Sequence, residues 1–308
     1  MADKNHIPQH IPESLREVFS RHEHPYLMWD GIENIPLGME EVLSPPSMDA
    51  IRAAAAAIQN STALHLIGCG TSYFAGIAAS YAFQSLAGIP ASAVQAFEYL
   101  AYPPPFSKGN SLIGISHTGT TPVIIDAVDR HRQLGGLTVG ITDERNSFLA
   151  QSAEFVISGK LGKEPALPKT RSYIAALLRL YLLVLESSRL KGSLDPNLER
   201  NLRRSPEMAK KFIADSIAPV NEISASVPPN KRVVIAAGGP NTATAMEGAL
   251  KLIEAALIHG QAWEIEEAAH GTWASTDPGD WIIMLAFDGP SSEKTKSIFT
   301  GLKSIILQ

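Results

Sequence analysis

Three short stretches of this 308-residue chain gather hydroxyls and glycines where an anion could bind. Gly68-Cys69-Gly70-Thr71-Ser72 follows an apolar run at 63–67 and precedes a helix-like run at 73–86. A buried strand that turns on glycines into a helix leaves backbone N–H groups free at the helix start. Those groups and the helix dipole favour an anion, most often phosphate. Thr71 and Ser72 add hydroxyl donors. The run 111–115 ends in Ser116-His117-Thr118-Gly119-Thr120-Thr121-Pro122, and Pro122 suits the first turn of a helix at 123–133. Lys169-Thr170-Arg171-Ser172-Tyr173 opens an apolar helix at 174–185. Three such loops can converge on one phosphate with no metal. None carries the Gly-Lys-Ser/Thr signature of a P-loop, and each alone also reads as an ordinary strand–helix turn.

A second set of residues could move protons. Glu247, Lys251 and Glu254 share one helix face, against Ala249, Leu250, Leu252 and Ile253. From spacing alone, a solvated Glu–Lys–Glu stripe is the better reading. His270 precedes a glycine, with Glu266 and Glu267 as carboxylate neighbours. Imidazole can exchange protons near neutral pH, but such a histidine is more often a turn or core residue. Cys69 reads as a small residue packed under its loop, because no histidine is near it in sequence.

The elements that must hold these groups alternate. Strands are predicted at 63–67, 91–95, 111–115, 138–141 and 154–157, with helical runs between them, as in a parallel sheet covered on both faces. A polar connector at 191–204 leads into a helix at 206–227, which Pro228-Pro229-Asn230 should end. The pattern then restarts: a strand at 232–237, Gly238-Gly239-Pro240-Asn241-Thr242, a helix at 243–259, a strand at 281–287 and a helix at 292–307.

These motifs, in this order, resemble the SIS (sugar isomerase) domain family. The resemblance is nearest to the isomerase half of glucosamine-6-phosphate synthase and to stand-alone deaminases, and it covers nearly the whole chain. Gly68 to Ser72 is similar to the first phosphate loop. Ser85-Leu86-Ala87-Gly88-Ile89-Pro90, with Glu98 after it, follows the family into its second strand. Ser116 to Thr121 resembles a Ser-Gln-Ser-Gly-Glu-Thr loop, with His117, Thr118 and Thr120 as departures. Glu247-Gly248-Ala249-Leu250-Lys251-Leu252-Ile253-Glu254 resembles the catalytic helix, and His270-Gly271 the His-Gly after it. His24-Pro25-Tyr26-Leu27-Met28 and Ile35-Pro36 resemble the arm before the first lobe.

The resemblance implies an α/β fold of two tandem SIS lobes, each a parallel sheet flanked by helices in a flavodoxin-like three-layer sandwich. Its expected divisions are an N-terminal arm at 1–46, a first lobe at 47–190, a connector and linking helix at 191–227, and a C-terminally short second lobe at 228–308. It makes Glu254 the base, Lys251 its helix-mate and His270 the ring opener, supplied by the neighbouring subunit of a homodimer. Cys69, Gly70, Thr71, Ser72, Ser116, His117, Thr118, Thr121, Thr170 and Arg171 become the expected phosphate contacts. Arg171 stands where the synthase has lysine; guanidinium pairs well with phosphate. Glu164 matches a family position with a structural role. The family's C-terminal tail, which carries a lysine near the sugar, has no counterpart in the sequence. Ala2 stands where the synthase's glutaminase domain has its cysteine.

The expected activity is that of a phosphosugar isomerase/deaminase, converting glucosamine 6-phosphate to fructose 6-phosphate and ammonia. A fructosamine 6-phosphate deglycase or another sugar-phosphate isomerase is the alternative among enzymes, and a non-catalytic sugar-phosphate sensor the alternative outside them. Composition agrees with a cytoplasmic enzyme. Hydrophobic residues make up 45%, enough for a sizeable core, and the net charge of −5 gives no general attraction to nucleic acid or anionic membrane. A single cysteine rules out an internal disulfide and a cysteine-built zinc site. No cofactor or metal is expected. No run reaches transmembrane length, and the N-terminus lacks a signal peptide's apolar core.

Overall fold

The computed structural model describes residues 25–227, 232–277 and 279–306. The stop at Pro228-Pro229-Asn230, His24 of the arm motif and most of the expected arm lie outside them.

Five parallel strands form the first sheet: β1 (Ala63–Gly68), β2 (Ala91–Gln95), β3 (Asn110–Ile115), β4 (Leu137–Thr142) and β5 (Phe155–Ser158). Their spatial order is β2-β1-β3-β4-β5. In register, Leu64 of β1 faces Ala91 of β2 on one side and Ser111 of β3 on the other. Period-two alternation sends the apolar side chains to both faces. Leu64, Leu66, Ile113, Ile115, Val139 and Ile141 join one buried cluster; Ile67 and Leu112 join another. Burying side chains such as Phe83, Ile51 and Leu180 stabilises the layers by about 1.5–3 kcal/mol each.

The described chain begins with α1 (Leu27–Glu33) and α2 (Ile35–Val42), and α2 packs on the long helix Arg171–Leu190; the first face of the sheet is covered by α3 (Pro45–Ile58), α4 (Thr71–Ser85) and that long helix. The other face is covered by α5 (Ala96–Ala101), α6 (Pro122–Gln133) and α7 (Phe148–Ser152). In chain order the long helix Arg171–Leu190 is α8. Residues 27–42, expected as part of an arm, are therefore two helices, and Met39 and Val42 are in the core. The apolar side chains at 35, 39, 42 and 43 need cover, and α8 supplies it.

The connector at 191–204 is also helical in part. Asp195 caps α9 (Pro196–Arg203) through the N–H of Asn197 at 2.8 Å, and α10 (Ser205–Ser226) follows. The second sheet has three parallel strands, β6 (Val233–Ala237), β7 (Gly260–Glu264) and β8 (Trp281–Leu285), in the order β7-β6-β8. Strand β7 is absent from the sequence reading. The predicted helix at 243–259 ran past the real helix end and up to the start of β7: α11 (Asn241–Lys251) passes into a π-helical turn at Leu252–Ala256, then stops at Leu257 with φ 54°. A left-handed leucine ends a helix as a glycine would, without glycine's sequence signal. The short helix α12 (Ile265–Ala269), a 3₁₀ turn at Thr272–Ser275 and α13 (Ser292–Ile306) complete the described chain. Among the described residues no helix is long and apolar enough to cross a membrane.

Candidate active site

The first chain reversal of the five-stranded sheet lies between β1 and β3, because β2 is on one side of β1 and β3 on the other. Crevices at such a switch point, beyond the carboxyl ends of the strands, are where open α/β sheets bind ligands. The first two hydroxyl loops leave β1 and β3 at this place. They line a cavity of about 410 Å³ with Cys69, Gly70, Thr71, Ser72, Ser116, His117, Thr118 and Thr121. Gly70, at φ 53°, turns β1 into α4, and α4 and α6 start at the cavity wall. The second loop folds on itself. The hydroxyls of Ser116 and Thr121 are 3.0 Å apart, and Gly119 N–H donates to Ser116 Oγ at 3.1 Å. Gly119 has φ 61°, and a Cβ there would meet Ser147 Oγ at 2.1 Å, so only glycine fits.

The third loop does not join them in the expected way. Thr170 and Arg171 do not line the cavity. The N-terminus of α8 already holds an anion, the carboxylate of Glu164. Its Oε1 accepts from Thr170 N–H (3.0 Å), Thr170 Oγ1 (2.8 Å) and Arg171 N–H (3.3 Å). Its Oε2 accepts from Ser172 N–H (3.0 Å) and Ser172 Oγ (2.7 Å). Burial works to raise the Glu164 pKa, but these hydrogen bonds outweigh it and hold the group below its ordinary value. The guanidinium of Arg171 donates to Gly162 C=O at 2.6 Å instead of facing the cavity. Lys169, not Arg171, is the basic residue of this loop in the wall.

His117 is in the wall, but its ring is committed. Nδ1 meets Asp143 Oδ2 at 2.9 Å, and Nε2 accepts the Glu164 backbone N–H at 2.9 Å. Accepting at Nε2 places the ring proton on Nδ1, so the neutral ring has no N–H left for a phosphate. Asp143 Oδ1 in turn accepts from Arg179 at 2.5 Å, and Arg179 reaches Glu41 at 3.3 Å. Burial would raise the Asp143 pKa; Arg179 and His117 hold it below the carboxylate range. Asp143 and Arg179 in the wall were not expected from the sequence, whereas Tyr173 belongs to the third hydroxyl-bearing stretch. Arg179 carried a signal: a charge inside the apolar run 174–185 had to find a buried partner.

Cys69 is exposed at the cavity rather than packed under the loop, because the turn lifts it past the end of β1. Partial desolvation by the surrounding loop still pushes the thiol pKa up, away from a reactive thiolate.

The Glu–Lys–Glu stripe is not a solvated face. Lys251 Nζ lies 3.2 Å from Glu247 Oε1 and 2.6 Å from Glu254 Oε2. Helix α11 packs against α4, so Thr71 of the first loop donates to Glu247 at 3.2 Å and accepts from Lys251 at 3.4 Å. Burial raises the Glu247 pKa and Lys251 opposes it. Glu254 lines the same cavity as the hydroxyl loops, from the π-helical turn. Such turns recur at functional sites. His270 stands apart: it is exposed, outside the cavity, with Nδ1 at 2.8 Å from Glu266 C=O. Among the described residues no cluster of three His, Cys, Asp or Glu side chains could hold a metal.

Comparison with known proteins places this geometry. Residues 57–186 match the SIS domain family. This chain carries a SIS domain. The SIS stretch begins near the end of α3 and runs through α8, so it contains both hydroxyl loops. The chain is 26% identical over 307 residues to glutamine–fructose-6-phosphate aminotransferase (isomerizing) of Pyrobaculum aerophilum, covering 97% of this chain and 50% of that protein. The protein of that name from Zymomonas mobilis is 30% identical over 236 residues, 75% of this chain and 39% of the relative. This chain thus spans half or less of the length of these relatives.

Among solved structures, the C-terminal domain of glucosamine-fructose-6-phosphate aminotransferase from Francisella tularensis superposes with a TM-score of 0.81 at 22% identity, covering 92% of this chain and 82% of that one. Glucosamine-6-phosphate deaminase from Thermotoga maritima gives 0.76 at 21%, covering 91% and 82%. At such identities the likeness speaks for the fold: parallel sheets flanked by helices around a SIS domain.

Proposed function

We propose that this chain is a phosphosugar isomerase acting on an amino-sugar phosphate, converting glucosamine 6-phosphate to fructose 6-phosphate and ammonia. One observation carries the reading. Glu254, paired to Lys251, lines the cavity that two hydroxyl loops and two helix N-termini also line. A phosphate fits the loops, where N–H groups and the hydroxyls of Thr71, Ser72, Ser116, Thr118 and Thr121 gather. Glu254 then carries the proton between C1 and C2, and Lys251, at 2.6 Å, orients that carboxylate. The names of the relatives support the substrate class.

The second sheet is read as a second SIS lobe, because its β6–turn–α11 unit repeats β1–turn–α4. The expected divisions at about 47–190 and 228–308 follow from that repeat. The working form is read as a homodimer with shared sites. The exposed His270 supports it, since a ring opener outside its own cavity has to act on a neighbour's.

The test is direct. Incubate the protein with glucosamine 6-phosphate, galactosamine 6-phosphate and fructoselysine 6-phosphate, and follow ammonia, free lysine and ketose phosphate. Glucosamine 6-phosphate should be consumed with release of ammonia. Glu254→Gln should lower turnover by about 10²–10⁴ while fructose 6-phosphate still binds, because glutamine keeps the shape and cannot take the proton. Binding without turnover of any of the three, and without solvent deuterium entering C2, would overturn the reading in favour of a sensor.

A further inference from the structure

Positive charge in the cavity wall is unevenly matched. Arg179 is met by Asp143 and Glu41, and Lys251 by Glu247 and Glu254. Lys169 has no such partner: among the described residues no carboxylate pairs with it. Its ammonium donates to the backbone C=O groups of Glu164 at 3.0 Å and Ala166 at 2.5 Å. An ammonium has three N–H donors, so one remains, on a residue that lines the cavity together with Glu254. The two carbonyls hold the group in place before any ligand arrives. Its charged surroundings are Glu164 and Lys163 on its own loop, and Lys251 and Glu254 from the second lobe; burial lowers its pKa. Lys169 therefore shares the cavity wall with Glu254.

A half-buried cation with no carboxylate in direct contact is a cost to the empty protein, and a ligand that brings negative charge to it recovers that cost. The phosphate already has two helix N-termini and their hydroxyls. Negative charge arises in one other place during the reaction. When Glu254 takes the proton from carbon, the C–H electron pair forms the new C=C bond. The carbonyl π pair then moves onto the C1 oxygen, giving the enolate of an enolamine, because C2 carries the amino group. The proton later returns from Glu254 to the adjacent carbon, leaving a C2 imine that water hydrolyses to the ketone and ammonia.

We propose that Lys169 is a catalytic residue of this cavity, its free N–H holding the sugar oxygen that becomes negative in that step. The proposal rests on the isomerase reading above. A fixed donor aimed at developing charge acts mainly on the rate and little on the affinity for the ground state.

Lys169→Met and Lys169→Arg test it. Turnover of glucosamine 6-phosphate should fall by about 10²–10³ in the methionine variant and by less in the arginine variant. Affinity for inorganic phosphate should stay within about threefold of wild type. In wild type, acetic anhydride should label Lys169 more slowly with fructose 6-phosphate bound than with inorganic phosphate bound. This measurement decides the matter even if the methionine variant does not fold. Equal labelling with the two ligands, or a methionine variant that turns over like wild type, would overturn the proposal. A defect confined to inorganic phosphate binding would make Lys169 a phosphate counter-ion and overturn it too. If wild type turns over none of the three sugar phosphates, the isomerase reading falls first. An active wild type beside an equally active variant removes only Lys169.

Discussion

At the residue scale, Glu164 shows how a single carboxylate can decide what a loop does. The sequence placed hydroxyls and Arg171 at the start of α8 as a third phosphate contact. Glu164 takes that place, with five hydrogen bonds from Thr170, Arg171 and Ser172. Replacing Glu164 with alanine leaves those donors and the helix dipole without an anion, and should cost about 2–4 kcal/mol in denaturant unfolding. The pH dependence has a definite sign. The folded pKa of Glu164 lies below its ordinary value, so its contribution is full above that value and is lost as pH falls through the folded one. Wild-type stability should therefore fall more steeply than that of Glu164→Ala as pH drops below about 4.3. Parallel curves on the acid side would show that the cap carries no charge-dependent stability.

At the element scale, the turn that carries Glu254 is an interrupted helix. From Glu247 to Lys251 the α-helical spacing holds, and i,i+4 geometry sets Lys251 against Glu247. After Lys251 the helix widens into a π turn and ends on Leu257, at φ 54° and 88% exposed. A leucine there meets a backbone penalty of about 1–2 kcal/mol that glycine escapes. Leu257→Gly loses little burial and should raise stability by about 1 kcal/mol, read as a higher denaturation midpoint at unchanged slope. A loss of stability would mean that this side chain is covered in the working protein. The apolar run 252–258 hid this break. Leucine, isoleucine and alanine give no stop signal, so helix was expected up to the strand that begins at Gly260.

At the scale of the whole molecule, the cavity is built from the first sheet's loops together with α11 and its π turn. Thr71 of the first loop meets Glu247 and Lys251 of α11, which lie more than 170 positions away in sequence. His270 completes no site within its own chain. The homodimer reading predicts that Glu254→Gln and His270→Ala proteins, each inactive alone, regain activity when their subunits exchange. A mixed twofold dimer carries one site with both residues intact, so random mixing should return about a quarter of wild-type turnover. No recovery after proven exchange, measured by light scattering and mass labels, would place His270 outside the reaction.

Much of this was legible in the chain itself. Alternating apolar strands, glycine turns and amphipathic helices determine a parallel α/β sheet with hydroxyls at its switch point, because these signals are local and each acts within a few residues. The Glu–Lys–Glu face was legible as geometry, but not as a buried site. Burial depended on α4 packing across α11, and no local pattern reports which helix will lie over another. The same holds for Lys169 and Arg171, two residues apart in one loop. Only the folded chain decides that one reaches the cavity and the other turns to Gly162 C=O. The N-terminus of α8 can satisfy one carboxylate, and Glu164, brought back by the loop before it, gets there first.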